Sequence, residues 1–545
     1  MICRVRIVPL VALLSMAVGV FYATACFNAQ DDCELNPSLG CGPYTPRAGS
    51  DGGTSATGGS GGFSGNGGTS GTGGTAGSGG GILVSCVPSE NSQPVADSCG
   101  IFVSDSLGND SYDGTKAQPK KTIAAALAAA SNQPVYVCAE QFTEKVTTDS
   151  QVSIYGGLDC ANGWTWVGQT TKTQLTAAAG EIVLQLNATA TGSRIEDFAI
   201  TAENGAQPGE SSIAVLVDQA VVEFERCAIT AGNGVAGVEG ATPAGTGTPG
   251  VKGPAGVAGC TGTAPVPPDY NIATVDCGSG ENSVGGLGGT GSVNNGGKGN
   301  DGGSNPSVGS GTSGEGGDGQ TDSLMCENGE QGAPGNPGTP GTGATGKGMI
   351  SVTGYVGTAG QDGQLRGTPG QGGGGGGGTR GTVACTNPSF AGPSGSGGGS
   401  GGCGGDPGSG GNPGGVSIAL ISLHSTVTLT DCTLTAGTGG DGGKGSDGQP
   451  GGAGKGGGAT GTGDNNDSCV GGLGGNGGQG GAGGGGLGGH SLGLAYTGTV
   501  PVQNNTTISE GTAGSGGAGG DGGGSNQGGV GQGGTAAETL DFSTP

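Results

Sequence analysis

The sequence predicts an all-β fold in which similar strands stack as rungs and long glycine-rich segments interrupt the stack. The run IAVLVDQAVVEFERCAITAGNG, which begins at Ile213, aligns without gaps with IALISLHSTVTLTDCTLTAGTG, which begins at Ile418. Glycine accounts for 141 of the 545 residues, and proline for 27. This bias is typical of repetitive structure and confines any packed core to part of the chain.

Apolar and polar residues alternate within each run, as at Val222, Phe224 and Ile229, which predicts strands with one buried face. The run DFAITAENG places Ile200 in the same frame, 29 residues before Ile229. VPVQNNTTISEG, near Val500, is a weaker relative displaced by one residue. We interpret the four runs as rungs of one ladder, because a single rung cannot bury its apolar face alone.

The segments between rungs differ widely in length, yet each starts after a similar TAG-like turn. The glycine-rich blocks are therefore predicted to leave the stack at one corner and to emerge on one face. Because the largest block, residues 234–415, begins and ends at that corner, we expect its removal to leave the rungs stacked and the stability unchanged or slightly higher.

The segment after the linker combines short β-rich runs with one helix. Residues 100–160 contain the turn GNDSYDGT, the alanine-rich helix TIAAALAAA, and the runs PVYVCA, KVTT and QVSIYGG. This order resembles the N-terminal entry of pectin-lyase-like right-handed parallel β-helices. The resemblance implies a right-handed single-stranded parallel β-helix with a short N-terminal capping helix. It implies no activity, since that fold hosts lyases, hydrolases, adhesins and inert shafts.

The N-terminus has the features of an export signal. Arg4 and Arg6 precede the apolar residues 7–20, and ATA, starting at Ala23, gives a small-residue cleavage site. ATAC resembles a bacterial lipobox, which implies that Cys26 is the lipid-attachment residue and the mature N-terminus, although Leu is usual where this chain has Ala23. The alternative is soluble secretion after cleavage at the same bond by an ordinary signal peptidase.

Composition divides the chain into nine segments. The predicted order is a signal peptide (1–25), a short cysteine-containing N-terminal segment (26–48), a Gly/Ser/Thr linker (49–81), the N-terminal part of the β-helix (82–233), a glycine-rich insertion (234–415), a rung (416–437), a second glycine-rich insertion (438–490), a rung (491–510) and a glycine-rich C-terminal tail (511–545).

Glycine at every third position first suggests collagen. The register holds in GTPGVKGPAGVAG, residues 247–259, but it breaks soon afterwards, and a triple helix needs a long uninterrupted register and three chains. Two interpretations remain, disorder and a polyglycine-II-like bundle of extended chains with three residues per turn. The triplet period and the cysteines within the blocks favour the bundle. The blocks resemble the glycine-rich repetitive, PGRS-type domains of bacterial surface proteins.

The net charge and the cysteine content further limit the possible partners and cellular location of the protein. The net charge of −25 argues against a nucleic-acid partner, which requires basic patches. An even number of cysteines remains once Cys3 leaves with the signal and Cys26 carries lipid, as expected for a disulfide framework in an exported chain. Proximity in sequence suggests the pairs Cys33–Cys41, Cys86–Cys99, Cys138–Cys160, Cys260–Cys277 and Cys385–Cys403. If the rungs stack, Cys227 and Cys432 are neighbours, and a bond between them is left open.

The residues that could carry catalysis lie on the predicted rungs. A lyase on this fold would use acidic residues and an arginine on one outer face, and the candidates are Arg194, Asp197, Glu223, Glu225, Arg226 and Asp431. Glu225 and Arg226 align with Thr430 and Asp431, so no stack of acidic residues persists. Polar residues are also expected wherever rungs face solvent. We therefore predict no catalytic residue.

The candidate metal and ligand motifs have simpler explanations. Asp105, Asp110 and Asp113 could form a calcium loop, but turn chemistry before the helix explains them. GGKGND, GGKGSD and GGAGGD match the start of a calcium-binding nonapeptide, but they lack its hydrophobic position and are not tandem. Trp164 and Trp166, two apart, are predicted to close the core near a β-helix end. We expect no metal and no cofactor.

Together these features predict a non-enzymatic, exported lipoprotein of a Gram-negative-type bacterium that displays glycine-rich loops on a β-helix in a structural or adhesive role. The expected location is the outer membrane or cell surface, with secretion as the alternative. Its expected partners are the membrane, through the N-terminal lipid, and a surface protein or glycan, with no nucleic acid. The alternative function is that of a polysaccharide-binding or polysaccharide-degrading β-helix enzyme.

Overall fold

The computed structural model describes residues 85–544 apart from residues 92, 310–312 and 525. The predictions about the signal, Cys26, the Cys33–Cys41 pair and the linker fall outside the described residues and stay predictions. Within them, neither helix has the length and apolar character that a membrane crossing requires.

Three mostly parallel sheets dominate the described part, and six successive turns of the chain each add one strand to every sheet. The first sheet contains β1 (Ile101–Val103), β2 (Val135–Cys138), β5 (Ser153–Asp159), β6 (Thr165–Trp166), β9 (Ser193–Glu196), β12 (Val221–Glu225), β20 (Thr426–Thr430) and β23 (Val502–Asn504). The second contains β3 (Gln141–Thr143), β7 (Thr173–Thr176), β10 (Phe198–Thr201), β13 (Ala228–Thr230), β21 (Thr433–Thr435) and β24 (Thr507–Ser509). The third contains β4 (Val146–Thr148), β8 (Leu184–Leu186), β11 (Ser212–Asp218), β19 (Ser417–Leu423), β22 (Ser491–Thr497) and β25 (Ala536–Asp541).

The remaining elements are short. A three-stranded antiparallel sheet contains β14 (Thr274–Gly278), β15 (Glu281–Val284) and β16 (Gly303–Asn305), and β17 (Met349–Ser351) forms a hairpin with β18 (Gly354–Val356). The helices are α1 (Ile123–Ala129) and α2 (Gly381–Ala384). The predicted N-terminal helix is α1. The Thr122 side chain caps it by accepting a hydrogen bond from the backbone N–H of Ala125 at 3.1 Å.

The strand register confirms the stacking predicted from the aligned runs. Ile213 pairs with Ile418 and Ile229 with Leu434, which is the 205-residue offset, and Ile200 pairs with Ile229. Two further turns lie upstream of the four aligned runs: they begin with β2 and β5, from the β-rich runs PVYVCA and QVSIYGG, and they add β3 and β7 to the second sheet. Their sequences, QFT and TQLT, are too short and too dissimilar to the later rungs to align with them.

The main core lies between the three sheets. Phe224 on the first sheet, Ile229 on the second and Val215 on the third are all fully buried in one cluster. Each such side chain contributes roughly 1.5–3 kcal/mol by leaving water. Because every rung places its apolar side chains in the same positions, adjacent rungs extend this core along the stack.

The third sheet is buried on both faces. Leu420 packs into the main core, whereas Ile418 and Ile421 belong to a second cluster on the outer face of the sheet. Ile350 and Tyr355, from the hairpin β17–β18, close that cluster. The hairpin lies within residues 234–415, so the expectation that this block can be removed at no loss of stability is wrong. Its removal would expose the apolar outer face of the third sheet.

The glycine-rich segments pack together as a bundle of extended chains, here called the glycine bundle (residues 234–262, 285–302, 313–344, 357–379, 391–415, 438–490 and 511–534). Parallel neighbours bond at every third residue: the N–H groups of Gly250, Gly253 and Gly256 donate to carbonyls three residues apart, at 2.9, 3.0 and 2.8 Å. The block between β13 and β19 is therefore hydrogen-bonded to the block between β21 and β22 along its length.

Candidate functional site

Seven consecutive glycines, residues 372–378, form a densely hydrogen-bonded run inside the glycine bundle. Their N–H groups donate to carbonyls of three neighbouring segments at 2.8–3.0 Å, and carbonyls of residues 373–378 accept from three others. A Cβ built on each glycine would lie within 2.3 Å of a backbone oxygen. No side chain larger than hydrogen fits anywhere in this run. The six neighbouring segments are 297–303, 327–330, 393–399, 284–290, 315–320 and 469–472.

The collagen-like stretch, residues 247–259, lies at the edge of the glycine bundle. Its glycines face the segments 392–403 and 450–462, where an added Cβ would meet backbone atoms at 2.1–2.5 Å. Its other residues face solvent, including Val251, Lys252 and Val257. One glycine in three is therefore sufficient for close packing of this segment, because only one side of each three-residue turn contacts neighbouring segments.

Within the described residues, three disulfides cross-link segments in and next to the glycine bundle, and two others lie in the N-terminal part. The predicted pairs Cys86–Cys99 and Cys138–Cys160 are present. The predicted pairs Cys260–Cys277 and Cys385–Cys403 are wrong, because the antiparallel return of the chain brings together cysteines that are distant in sequence. Cys260 bonds to Cys385, Cys277 to Cys403 and Cys326 to Cys469. Five disulfides indicate an oxidising, exported environment.

Cys227 and Cys432 lie on adjacent rungs, as predicted. Both are buried free thiols, and the Cys227 N–H donates to the Cys432 Sγ at 3.4 Å. Burial raises the pKa of the Cys227 thiol well above its ordinary value. The pair therefore packs as small apolar residues of the core.

The candidate catalytic residues lie near one corner, between the first and second sheets. Asp197, Arg226, Asp431 and Asn505 occupy equivalent bends between consecutive strands, each with φ between 49° and 61°. This left-handed conformation is most accessible to Asn and Asp among residues with a Cβ. Chain geometry therefore accounts for the two aspartates among these four residues.

Around Arg226 the charges compensate one another. Arg226 binds Asp197 through two hydrogen bonds of 2.9 and 3.1 Å, and it also forms ion pairs with Glu196 and Glu225. Arg194 contacts the same two glutamates. All three carboxylates of this ionic cluster thus have a guanidinium partner.

Burial determines the electrostatics of the ionic cluster. It raises the pKa of Glu196, which is fully buried, although Arg194 and Arg226 oppose the shift. Burial also opposes the charge of Arg226, but the surrounding carboxylates outweigh it and raise the pKa of that guanidinium. A base with its oxygens occupied by two arginines has poor access to a substrate proton. The geometry is that of a buried structural ion network.

The remaining candidate residues for a lyase, Glu223 and Asp431, lie outside the ionic cluster. Glu223 and Asp431 are exposed on separate rungs, and Asp431 bonds to the Asn505 side chain. Glu223 pairs in register with Arg194 and Thr428, so no carboxylate lies opposite it on the two neighbouring strands. These positions contribute no concentration of negative charge.

The two tryptophans pack at the start of the stack. Trp164 is buried against Phe102 with ring centroids 4.9 Å apart, as expected for a residue that closes the core. The two rings do not share a strand face, because Trp164 has φ 67° and only Trp166 lies in β6. Trp166 donates through Nε1 to Asp197 at 2.8 Å, and Arg226 lies over its ring at 5.6 Å from the centroid. Trp166 therefore supports the ionic cluster.

Turn geometry accounts for the aspartates before α1. Asp110 accepts hydrogen bonds from the N–H groups of Lys121 and Thr122, both at 2.9 Å, where the chain enters the helix. Asp105 lies 3.8 Å from the Lys121 ammonium. The calcium-like motifs lie within the glycine bundle, where Asp301 and Asp447 each accept a backbone hydrogen bond. No group of three or more His, Cys, Asp and Glu side chains that could hold a metal occurs in the part of the chain that the structure describes.

A cavity of about 410 Å³ lies beside the Cys138–Cys160 disulfide. Two carboxylates line it, and both are engaged: Glu140 accepts from the Asp105 N–H at 2.7 Å, and Asp159 from the Asn162 N–H at 3.1 Å. The cavity offers no paired carboxylates free to act as acid and base.

Sequence reasoning missed His490, which lies where the third sheet meets the glycine bundle. Its Nδ1 accepts from the Thr535 N–H at 2.8 Å, so Nε2 carries the proton and donates to the Lys347 carbonyl at 2.9 Å. Burial lowers the pKa of the imidazole. His490 therefore links three segments as a neutral side chain. The signal available in the sequence was its position directly before the run SLGLAYT, which forms β22.

Neither a protein-family model, nor a curated protein, nor a solved structure matches this chain.

Proposed function

We propose that this protein is a non-enzymatic surface-display protein, in which a single right-handed parallel β-helix supports a rigid polyglycine-II-like bundle. The observation that carries the proposal is the run of seven glycines with six hydrogen-bonded neighbours. A flexible loop would lose conformational entropy on binding a partner, whereas a preformed array has already lost it on folding. The glycine bundle is therefore suited to hold its surface residues in fixed positions.

The order of segments supports a role in display. The three largest glycine-rich stretches leave the stack after β13, β21 and β24, at the corner between the second and third sheets. All side chains of the glycine bundle that reach solvent therefore belong to one continuous body beside the stack. This arrangement separates the supporting core from the presented surface.

We further propose that Cys26 carries a lipid that anchors the protein in a bacterial outer membrane. Metabolic labelling with a fatty-acid probe should mark the wild-type protein and not Cys26→Ala. Labelling that persists in the variant would exclude this anchor.

An adhesion assay tests the display function. Beads that carry the mature protein, coupled through its N-terminal segment, should bind bacterial cells or stay attached to polysaccharide-coated surfaces under flow. Incubation with the same polysaccharides should release no new reducing ends or unsaturated products. Turnover of a polysaccharide would show an enzymatic function and contradict the proposal. Failure of the beads to be retained on any surface would rule out the adhesive role.

A further inference from the structure

A groove with a cavity of about 570 Å³ lies along the edge of the glycine bundle. One wall is formed by residues 255–257 of the collagen-like stretch, and the other by residues 267–271, PPDYN. This volume is within the range of roughly 300–1,000 Å³ that is typical of small-ligand sites.

Both walls of this groove, here called the Tyr270 groove, are held in place. Gly256 donates to the Ala459 carbonyl at 2.8 Å, and Val257 donates to the Ser394 hydroxyl at 2.9 Å. The opposite wall begins just after Val266, which exchanges two backbone hydrogen bonds with Gly291 at 2.8 and 2.9 Å. The groove is therefore preformed, and binding would order little additional chain.

The side chains of the Tyr270 groove combine an aromatic ring with hydrogen-bonding groups. Tyr270 is 69% exposed, although aromatic residues are only 3% of the chain and most of the described ones are at least partly buried. Next to it, Asp269 Oδ1 accepts from the backbone N–H of Asn271 at 3.0 Å and from its side-chain amide at 2.8 Å. These bonds fix the carboxylate and the amide at the side of the ring.

Charge restricts the ligand. Asp269 is the sole ionisable acid or base among the lining residues apart from the tyrosine itself, and the whole chain carries −25. An anionic ligand would be repelled, and no basic side chain lines the groove to bind it. A neutral ligand with one apolar face and several hydroxyl groups fits an exposed ring beside a carboxylate and an amide.

We propose that the Tyr270 groove binds a neutral saccharide, whose C–H face stacks on Tyr270 while its hydroxyl groups bond to Asp269 and Asn271. Pro267 and Val257 supply apolar contact on the two walls. This inference rests on the proposed adhesive function and names its ligand class.

The test uses the full-length mature protein and defined probes: mannan, chitin oligosaccharides and cellulose oligosaccharides as neutral ligands, with polygalacturonate as the anionic ligand. Binding to at least one neutral probe is expected, with no binding of polygalacturonate. Tyr270→Ala should weaken that binding about tenfold or more, and Tyr270→Phe should keep it within about threefold, because the ring is retained. Tyr112→Ala is the matched control, since Tyr112 is also exposed, at 38%, and lies outside the groove.

Circular dichroism and thermal unfolding of each variant establish that it folds. Wild-type binding to anionic probes alone, or unchanged neutral binding by folded Tyr270→Ala, would overturn the saccharide assignment while leaving adhesion through another surface intact. Absence of binding to every saccharide, together with retention on cells, would overturn it as well. Loss of retention on all surfaces would instead remove the adhesive function itself.

Discussion

Substitution of Gly375 by alanine tests whether the glycine bundle is a close-packed array. Gly375 is the central residue of the seven-glycine run, and a Cβ there would lie 1.8 Å from the Leu287 carbonyl oxygen. Real Cβ contacts essentially never fall below 3.0 Å. The two chains must therefore separate by more than an ångström, or the array must distort around them.

The expected loss of stability follows from the hydrogen bonds of the same residue. The Gly375 N–H donates to Asn300 at 2.8 Å, and its carbonyl accepts from Gly317 at 2.8 Å. Leaving both buried bonds unmade costs about 1–3 kcal/mol each, and overpacking adds about 1–3 kcal/mol. The total of roughly 3–9 kcal/mol is comparable with the whole stability of many domains.

Gly456→Ala is the matched control. Gly456 belongs to the same bundle, yet no atom lies within 4 Å of an added Cβ, and its φ is outside the left-handed region. The free energy of unfolding of Gly456→Ala should be unchanged or higher by about 0.4–1 kcal/mol, because alanine has less backbone freedom than glycine in the unfolded chain.

Hydrogen–deuterium exchange with peptide resolution provides the measurement, since a long repetitive array need not unfold in one step. Peptides that cover residues 285–303 and 372–379 should exchange about a hundredfold faster, or more, in Gly375→Ala, and the control should match wild type. Equal protection in the two variants would refute the six-neighbour packing.

The other predictions concern the ionic cluster, the junction and the outer core. Arg226→Asn suits the left-handed backbone but removes the guanidinium partner of buried Asp197 and leaves Glu196 and Glu225 with Arg194 alone. It should cost about 3–5 kcal/mol in urea unfolding, whereas Lys298→Ala at an exposed ion pair should cost less than about 1 kcal/mol. Burial lowers the pKa of His490 in the folded state below its ordinary value of about 6.5. The contribution of the neutral imidazole to folding stability should therefore be complete above that pH and should decrease as the pH falls below it. His490→Gln should flatten this part of the stability–pH curve, and an unchanged slope would contradict a neutral imidazole. Ile350→Ala should cost about 2–4 kcal/mol in thermal unfolding, while its exposed neighbour Met349→Ala should have little effect. Equal melting temperatures would show that the hairpin does not seal the third sheet.

The stacking of the later rungs was predictable because it repeats in sequence. Ile229 and Leu434 occupy the same position of two aligned runs, and adjacent rungs must place equivalent residues in contact to share one core. The corner residues Asp197 and Asp431 were visible in the same alignment as candidates for chemistry. Only the backbone conformation shows that both lie at left-handed bends, which favour Asp and Asn.

The pairing of Cys260 with Cys385 could not be predicted from spacing. Long chains that return antiparallel bring together residues separated by more than a hundred positions, and glycine-rich sequence carries no apolar pattern that fixes the register. The contact of Ile350 with the third sheet was hidden for a similar reason, since glycine-rich sequence on both sides of this short hairpin gave no sign of an apolar face. The disulfides and the hairpin thus depend on the packing of the whole bundle.

The number of glycines in each three-residue turn of a bundle segment follows from the number of neighbouring segments that it contacts. A chain with three residues per turn directs successive residues to three sides, so a residue with a Cβ fits only on a side without a neighbour. Residues 372–378 have neighbours on every side and are all glycine, whereas residues 247–259 have them on one side and keep two free positions per turn. These free positions, among them Val251 and Lys252, can change without disturbing a backbone hydrogen bond. A polyglycine-II-like edge therefore separates the residues that determine folding from those that meet a partner, which is the property that a display surface requires.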